Sequence, residues 1–131
     1  MGQPAAKQGD QVMATDTHII MIPSPGGPVP TPLPHPFTGM LDNALSNDVN
    51  IEGKPAAVQG STATNTPSHI PQGGPFQKPP ANKATILLGS GTVMINGKPA
   101  ARNGDKATTC NDPADLPVGT VVAVSNVMIG G

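Results

Sequence analysis

The segment Ile51-Glu52-Gly53-Lys54-Pro55-Ala56-Ala57-Val58-Gln59-Gly60-Ser61 returns almost unchanged as Ile95-Asn96-Gly97-Lys98-Pro99-Ala100-Ala101-Arg102-Asn103-Gly104-Asp105. A unit this short cannot bury its own apolar face, so a chain that repeats it must pack the copies on one another. The two ends hold the parts of a third copy. Gly2-Gln3-Pro4-Ala5-Ala6-Lys7-Gln8-Gly9-Asp10 matches the back of the unit and Val127-Met128-Ile129-Gly130-Gly131 its front, which stands complete as Val49–Gly53 and Val93–Gly97. Gly131 and Gly2 both align with Gly53. The expectation is one domain over residues 1–131, with three units round an axis and the third closed where the termini meet.

Composition limits what fills such a domain. There is no Trp or Tyr, Phe37 and Phe76 are the only aromatic rings besides histidine, and the apolar content is Ala, Val, Ile, Leu and Met. A chain of 131 residues buries one modest core, here packed from short side chains. With 17 Pro and 16 Gly the composition borders on that of disordered chains, but disorder has no use for Gly-Lys-Pro-Ala-Ala held in register. The net charge of −1, without a basic block, gives no attraction to nucleic acid or an anionic membrane surface. No apolar run nears the roughly 20 residues that span a bilayer. The N-terminus lacks a charged-then-apolar export signal, which predicts synthesis in the cytoplasm and release without a signal peptide. A single cysteine excludes an intrachain disulfide.

Taken in order, His18–Ile22 reads as a short strand stopped by Pro23. Residues 23–36 then hold seven prolines in fourteen, which argues against helix and sheet interior and for extended polyproline geometry. Residues 37–44 offer at most one helical turn. Val49 and Ile51 alternate as a strand, with Gly53-Lys54-Pro55 as its turn. Residues 70–83 form a second Pro/Gly/Gln excursion. Thr85–Gly97 reads as a hairpin turning at Gly89-Ser90-Gly91, and Val118–Ile129 as another turning at Ser125-Asn126. The fold class that follows is all-β with little or no helix.

Each unit is followed by a potential metal ligand at nearly constant distance: His18 lies fourteen residues after Pro4, His69 fourteen after Pro55, and Cys110 eleven after Pro99. Three-fold symmetry would bring these to corresponding places near the axis. The one remaining histidine, His35, is held between Pro34 and Pro36, which lowers the entropy lost in presenting a ligand. Three His and one Cys form a complete tetrahedral zinc set with no position left for water. That closed nitrogen and sulfur set, and the lack of an axial methionine, favour one structural zinc over copper. A catalytic zinc would need an open position and a nearby base, and the only Glu, Glu52, is far in sequence from these ligands. Asp16, two residues before His18, reads as a turn cap or an outer partner of a ligand. Asp10, Asp105 and Ser61 read as turn-closing groups, and no nucleophile triad is visible.

Pro99-Ala100-Ala101-Arg102, with its variants Pro4-Ala5-Ala6-Lys7 and Pro55-Ala56-Ala57-Val58, resembles the repeat of the PAAR-repeat proteins, and the resemblance runs end to end. It implies a small pseudo-three-fold cone of short β-hairpins with Pro/Gly-rich loops, seated on a trimeric spike of a contractile injection machine: type VI secretion, a phage tail or a phage-tail-like particle. It implies no enzymatic activity, a zinc ion at the tip held by His18, His35, His69 and Cys110, and one copy per spike. The partners are the trimeric spike protein, bound through the base of the cone, and transiently the pierced membrane. An alternative is an adaptor that recruits effector cargo through the insertions at 23–36 and 70–83. A more distant one is a zinc hydrolase.

Overall fold

A computed structural model of the chain describes residues 2–130. Within them the protein is all-β, with twelve strands and no helix. The first unit supplies β1 (Gln3–Pro4), β2 (Gln11–Ile22) and β3 (Val29–Asn43). The second supplies β4 (Asn50–Ile51), β5 (Lys54–Pro55), β6 (Thr62–Asn65) and β7 (Lys83–Ile86). The third supplies β8 (Met94–Ile95), β9 (Lys98–Pro99), β10 (Lys106–Thr109) and β11 (Leu116–Val122), and β12 (Met128–Ile129) ends the chain. The hairpins β2–β3, β6–β7 and β10–β11 join side by side into a closed antiparallel barrel of six strands. Beyond the barrel lie three two-stranded ribbons, β4 with β5, β8 with β9, and β12 with β1, the last joining the two ends of the chain. The alignment of Gly131 with Gly53 lies outside the described residues.

The repeated Pro-Ala-Ala has a physical reason. At the axis the Ala6 N–H donates to the Ala101 carbonyl, Ala101 to Ala57, and Ala57 to Ala6, each at 3.0 Å, closing a ring of three hydrogen bonds. A second set surrounds it: Gln8 donates to Pro55 O at 2.9 Å, Gln59 to Pro99 O at 2.9 Å and Asn103 to Pro4 O at 2.8 Å. Three backbones meet here, so only a methyl side chain fits, and all six alanines of the repeat are fully buried. The crossing divides the interior into two clusters. Ala6, Ala57 and Ala101 face the barrel core with Val12, Phe37, Leu41, Ile86 and Val121, whereas Ala5, Ala56 and Ala100 pack under the ribbons with Ile51, Ile95 and Ile129.

The fourth motif position varies because its backbone carries the contact. The N–H groups of Lys7, Val58 and Arg102 donate to Asp10 Oδ2 at 3.0 Å, Ser61 Oγ at 3.0 Å and Asp105 Oδ2 at 2.7 Å. The Asp and Ser groups therefore close turns whichever side chain precedes them, and where it is basic it adds an ion pair, Lys7 Nζ to Asp10 Oδ1 at 3.2 Å and Arg102 Nη2 to Asp105 Oδ1 at 2.9 Å.

Three local expectations are corrected. The proline-rich segment is not a free polyproline stretch, and residues 37–43 make no helical turn: Val29–Asn43 is one strand, paired with β2 from Gln11↔Met40 to Ile22↔Val29. Prolines 30, 32, 34 and 36 take alternate positions opposite Met21, Ile19, Thr17 and Thr15. Those β2 residues turn away from β3, with Met21 N–H donating to Pro75 O at 2.9 Å, Ile19 N–H to Asp112 Oδ2 at 2.9 Å and Thr17 N–H to Asn111 Oδ1 at 2.6 Å. The prolines thus occupy the non-hydrogen-bonded places of the ladder, and their missing N–H groups fall on its open side.

Second, Gly53-Lys54-Pro55 is not itself the turn: Glu52-Gly53 and Asn96-Gly97 make it, with φ of 51° and 82°, and 53° and 77°, the positive pair of a two-residue hairpin. Third, Gly89-Ser90-Gly91 and Ser125-Asn126 do not turn hairpins, because β7 and β11 belong to the barrel and β8 and β12 to ribbons. Ser90 anchors the crossing between them. Its buried hydroxyl accepts the N–H groups of Thr92 at 3.1 Å and Val93 at 2.9 Å, and donates to Gly130 O at 2.6 Å.

The crossing predicts a contrast between neighbouring positions. Ala57→Leu should destabilise the protein by about 1–3 kcal/mol through overpacking, whereas Lys7→Arg should stay within about 0.5 kcal/mol. Denaturant titration of the two variants checks this.

Candidate metal centre

Strand alternation aims the polar groups inward. On β2, Asp16, His18 and Ile20 are buried, and on β3 His35 and Phe37 are buried between exposed Pro34 and Pro36. The register sets Asp16 directly opposite His35, two pairs inward from His18 opposite Leu33. His69 arrives on the loop after β6, and Cys110 is the residue that follows β10. From the turn at Asp10 to His18 the chain runs eight residues of nearly continuous strand, about 26 Å. The cluster therefore lies on the barrel side of the alanine crossing, away from the ribbons.

The three imidazoles face one another, with ring centres 4.9 Å apart for His18–His69 and 5.5 Å for both His18–His35 and His35–His69. Cys110 Sγ is 3.6 Å from His18 Nε2. One donor atom each from Asp16, His18, His69 and Cys110 lies within 4.8 Å of the others, and His35 stands beside this group. Three of the predicted ligands, His18, His69 and Cys110, are thus brought together, and the fourth, His35, packs its ring against two of them without joining the group. Asp16 joins them as a full neighbour. A strand begun before His18 would have revealed it, because period-two alternation puts residues 16 and 18 on one face. Phe76 also escaped the sequence reading. The 70–83 excursion docks on the free side of β2, with Ile20 bridged to Phe76, and lays the Phe76 ring 5.5 Å from His35 and 5.9 Å from His18.

Hydrogen bonds assign the nitrogens. His35 Nδ1 is 2.9 Å from the Leu33 carbonyl and must donate to it, which leaves Nε2 as a lone pair, buried and without a partner. His69 Nδ1 lies 3.2 Å from Asn65 Nδ2 and its Nε2 lies 2.8 Å from Asp16 Oδ2. Asp16 also accepts from Thr109 Oγ1 at 2.5 Å and Cys110 Sγ at 3.4 Å. His18 Nδ1 makes no hydrogen bond and faces Asp112 Oδ2 at 3.5 Å. Buried acceptors without donors are rare in folded proteins. An orphaned imidazole lone pair beside two more imidazoles and a thiol is the donor set of a transition-metal ion, so the residues fit one. A surface cleft of about 270 Å³ reaches His35 and His69 between Thr38 and the loop of Ser68 and Ile70.

Burial lowers the pKa of His18, outweighing the neighbouring Asp112 and Asp16 carboxylates. Burial also pushes the Cys110 thiol up to about 11, with the Asp16 charge adding to it. Near neutral pH the metal-free site therefore holds a neutral His18 and a protonated Cys110. Glu52 lies elsewhere, in the ribbon turn, where it accepts the Asn126 N–H at 3.2 Å.

Among known families, the chain matches the model described as the PAAR motif over residues 20–114 and again over 77–131. No curated protein matches it.

Binding of a divalent ion at this centre should release about one proton per ion at pH 7, from Cys110, because metal ligands bind deprotonated and His18 has no proton to lose. Calorimetry in buffers of different ionisation enthalpy measures this. Release should vanish in Cys110→Ser, and affinity should fall about tenfold per pH unit below neutrality.

Proposed function

The chain belongs to the PAAR-motif family, and on that premise we propose that it is a non-enzymatic tip protein that caps the trimeric spike of a contractile injection machine. It sharpens the spike for piercing a target membrane, and one structural zinc, held by His18, His35, His69 and Cys110, stiffens its apex. The observation that carries this reading is the buried cluster itself. Three of its members follow equivalent repeats, and it sits at the far end of the barrel from the ribbons. A narrow end has too few residues for an apolar core, and a closed metal site supplies rigidity there.

The ribbon end supports the partner side of the proposal. Met94 and Met128, at corresponding places on β8 and β12, are 58% and 57% exposed, and Val49 and Val127 are exposed near them. The third ribbon carries exposed Asn50 at the matching place, with Val49 before it; three ribbons of the same backbone form match a trimer, whose three-fold axis admits one capping chain. The protein would reach its target with the particle and have no need of an export signal of its own. Cargo recruitment is the second reading. Its free segment is the exposed turn near Ser24–Gly27, because residues 29–36 and 75–77 are already paired to β2.

Two measurements test this. Protein purified without added metal should contain about one zinc per chain by mass spectrometry, and Cys110→Ser should lose both the zinc and much of the thermal stability; a metal-free wild type that melts like the mutant would overturn the zinc tip. Met94→Glu with Met128→Glu should abolish the complex of one chain per spike trimer, read by mass photometry, while leaving zinc content intact.

A further inference from the structure

We infer that Asp16 sets the metal preference of the centre: its buried carboxylate makes the donor set electrically neutral around a divalent ion and penalises a monovalent one. The inference rests on the reading that the cluster holds a metal ion. Asp16 has no exposed surface, and among the described residues its only ion-pair partner is His69. The groups that hold it, the Thr109 hydroxyl, the Cys110 thiol and the His69 ring N–H, contribute hydrogen bonds. No lysine or arginine pairs with it.

Charge decides what such a carboxylate does, and the ion's own charge belongs in the sum. A divalent ion bound by neutral imidazoles and one thiolate keeps one net positive charge among largely buried groups. Asp16 cancels it. A monovalent ion such as Cu(I), which suits imidazole and thiolate equally well, is already neutralised by Cys110, so Asp16 then leaves a buried negative charge. Uncompensated buried charge is strongly disfavoured. The same sums hold whether Asp16 binds the ion directly or stands behind His69. The other nearby carboxylate, Asp112, faces His18 Nδ1 at 3.5 Å and accepts the Ile19 N–H at 2.9 Å; its charge stands behind His18 for either ion and leaves unchanged the difference that Asp16 makes between them.

A residue that only propped His69 in place would act on every ion alike, and this separates the two roles. Asp16→Asn keeps the shape and removes the charge. Dissociation constants for Zn(II) and Cu(I), measured by competition with chromophoric chelators, should show zinc weakened by about 10–100-fold and Cu(I) unchanged or tighter. Asp16→Glu should keep the preference for zinc. Thermal melts give an independent readout: the rise in melting temperature that zinc adds should be smaller in Asp16→Asn than in the wild type, whereas the rise that Cu(I) adds should not be. Equal weakening of both ions, or no weakening of zinc, overturns the inference while the metal centre stands. A wild type that binds neither ion overturns both.

Discussion

Everything in this fold hangs from three hydrogen bonds, those that link Ala6, Ala57 and Ala101 in a ring. Each backbone enters the ring from a ribbon and leaves it into the barrel, so one short dipeptide orients two elements in each unit. Because the ring is cyclic, each copy donates to one neighbour and accepts from the other. Such a contact is heterologous and closes only when the copies make a full turn. Residue size at the crossing is correspondingly strict, and the two cores above and below it stay separate.

What could be read beforehand follows from that strictness. Symmetry was legible because Pro-Ala-Ala stands in all three copies, and the candidate ligand cluster because nearly equal spacing from a symmetric ring brings His18, His69 and Cys110 to one place. The proline segment was misjudged because proline was weighed as a local breaker of sheets. A strand residue bonds on one side only, and prolines on alternate residues send every missing donor to the same edge. The supposed hairpins at 85–97 and 118–129 failed for a different reason. Gly89, Ser90 and Gly91 carry turn chemistry, yet an added Cβ on Gly89 would lie 2.7 Å from the Ala100 carbonyl. The glycine there serves close approach of two backbones, which local sequence does not display.

That same arrangement of prolines settles a hazard. The first hairpin is the longest, with strands of 12 and 15 residues against 4 and 4 in the second. A long exposed strand edge invites pairing with other chains. Here one edge of the overhang is occupied by residues 75–77 and 111–112, and the other carries Pro30, Pro32, Pro34 and Pro36, which have no N–H to offer. The hairpin can extend past the barrel, and deliver His35, without becoming sticky.

The overhang also explains why the apex is polar. Along β2 and β3 the inward residues pass from Val12 and Leu41, through Phe37, to Asp16, His18 and His35. Apolar packing needs neighbours on all sides, and those run out as β6, β7 and β10 end after four residues each. An ion does not need that many. One centre can tie together the first hairpin, the loop at His69 and the end of β10 at Cys110, adding to the hydrogen bonds that already join β2 to residues 75–77 and 109–112. Bound there, an ion would supply directed bonds where the strands that could fill a core have ended. The polar character of this end follows from the same shortage of neighbours.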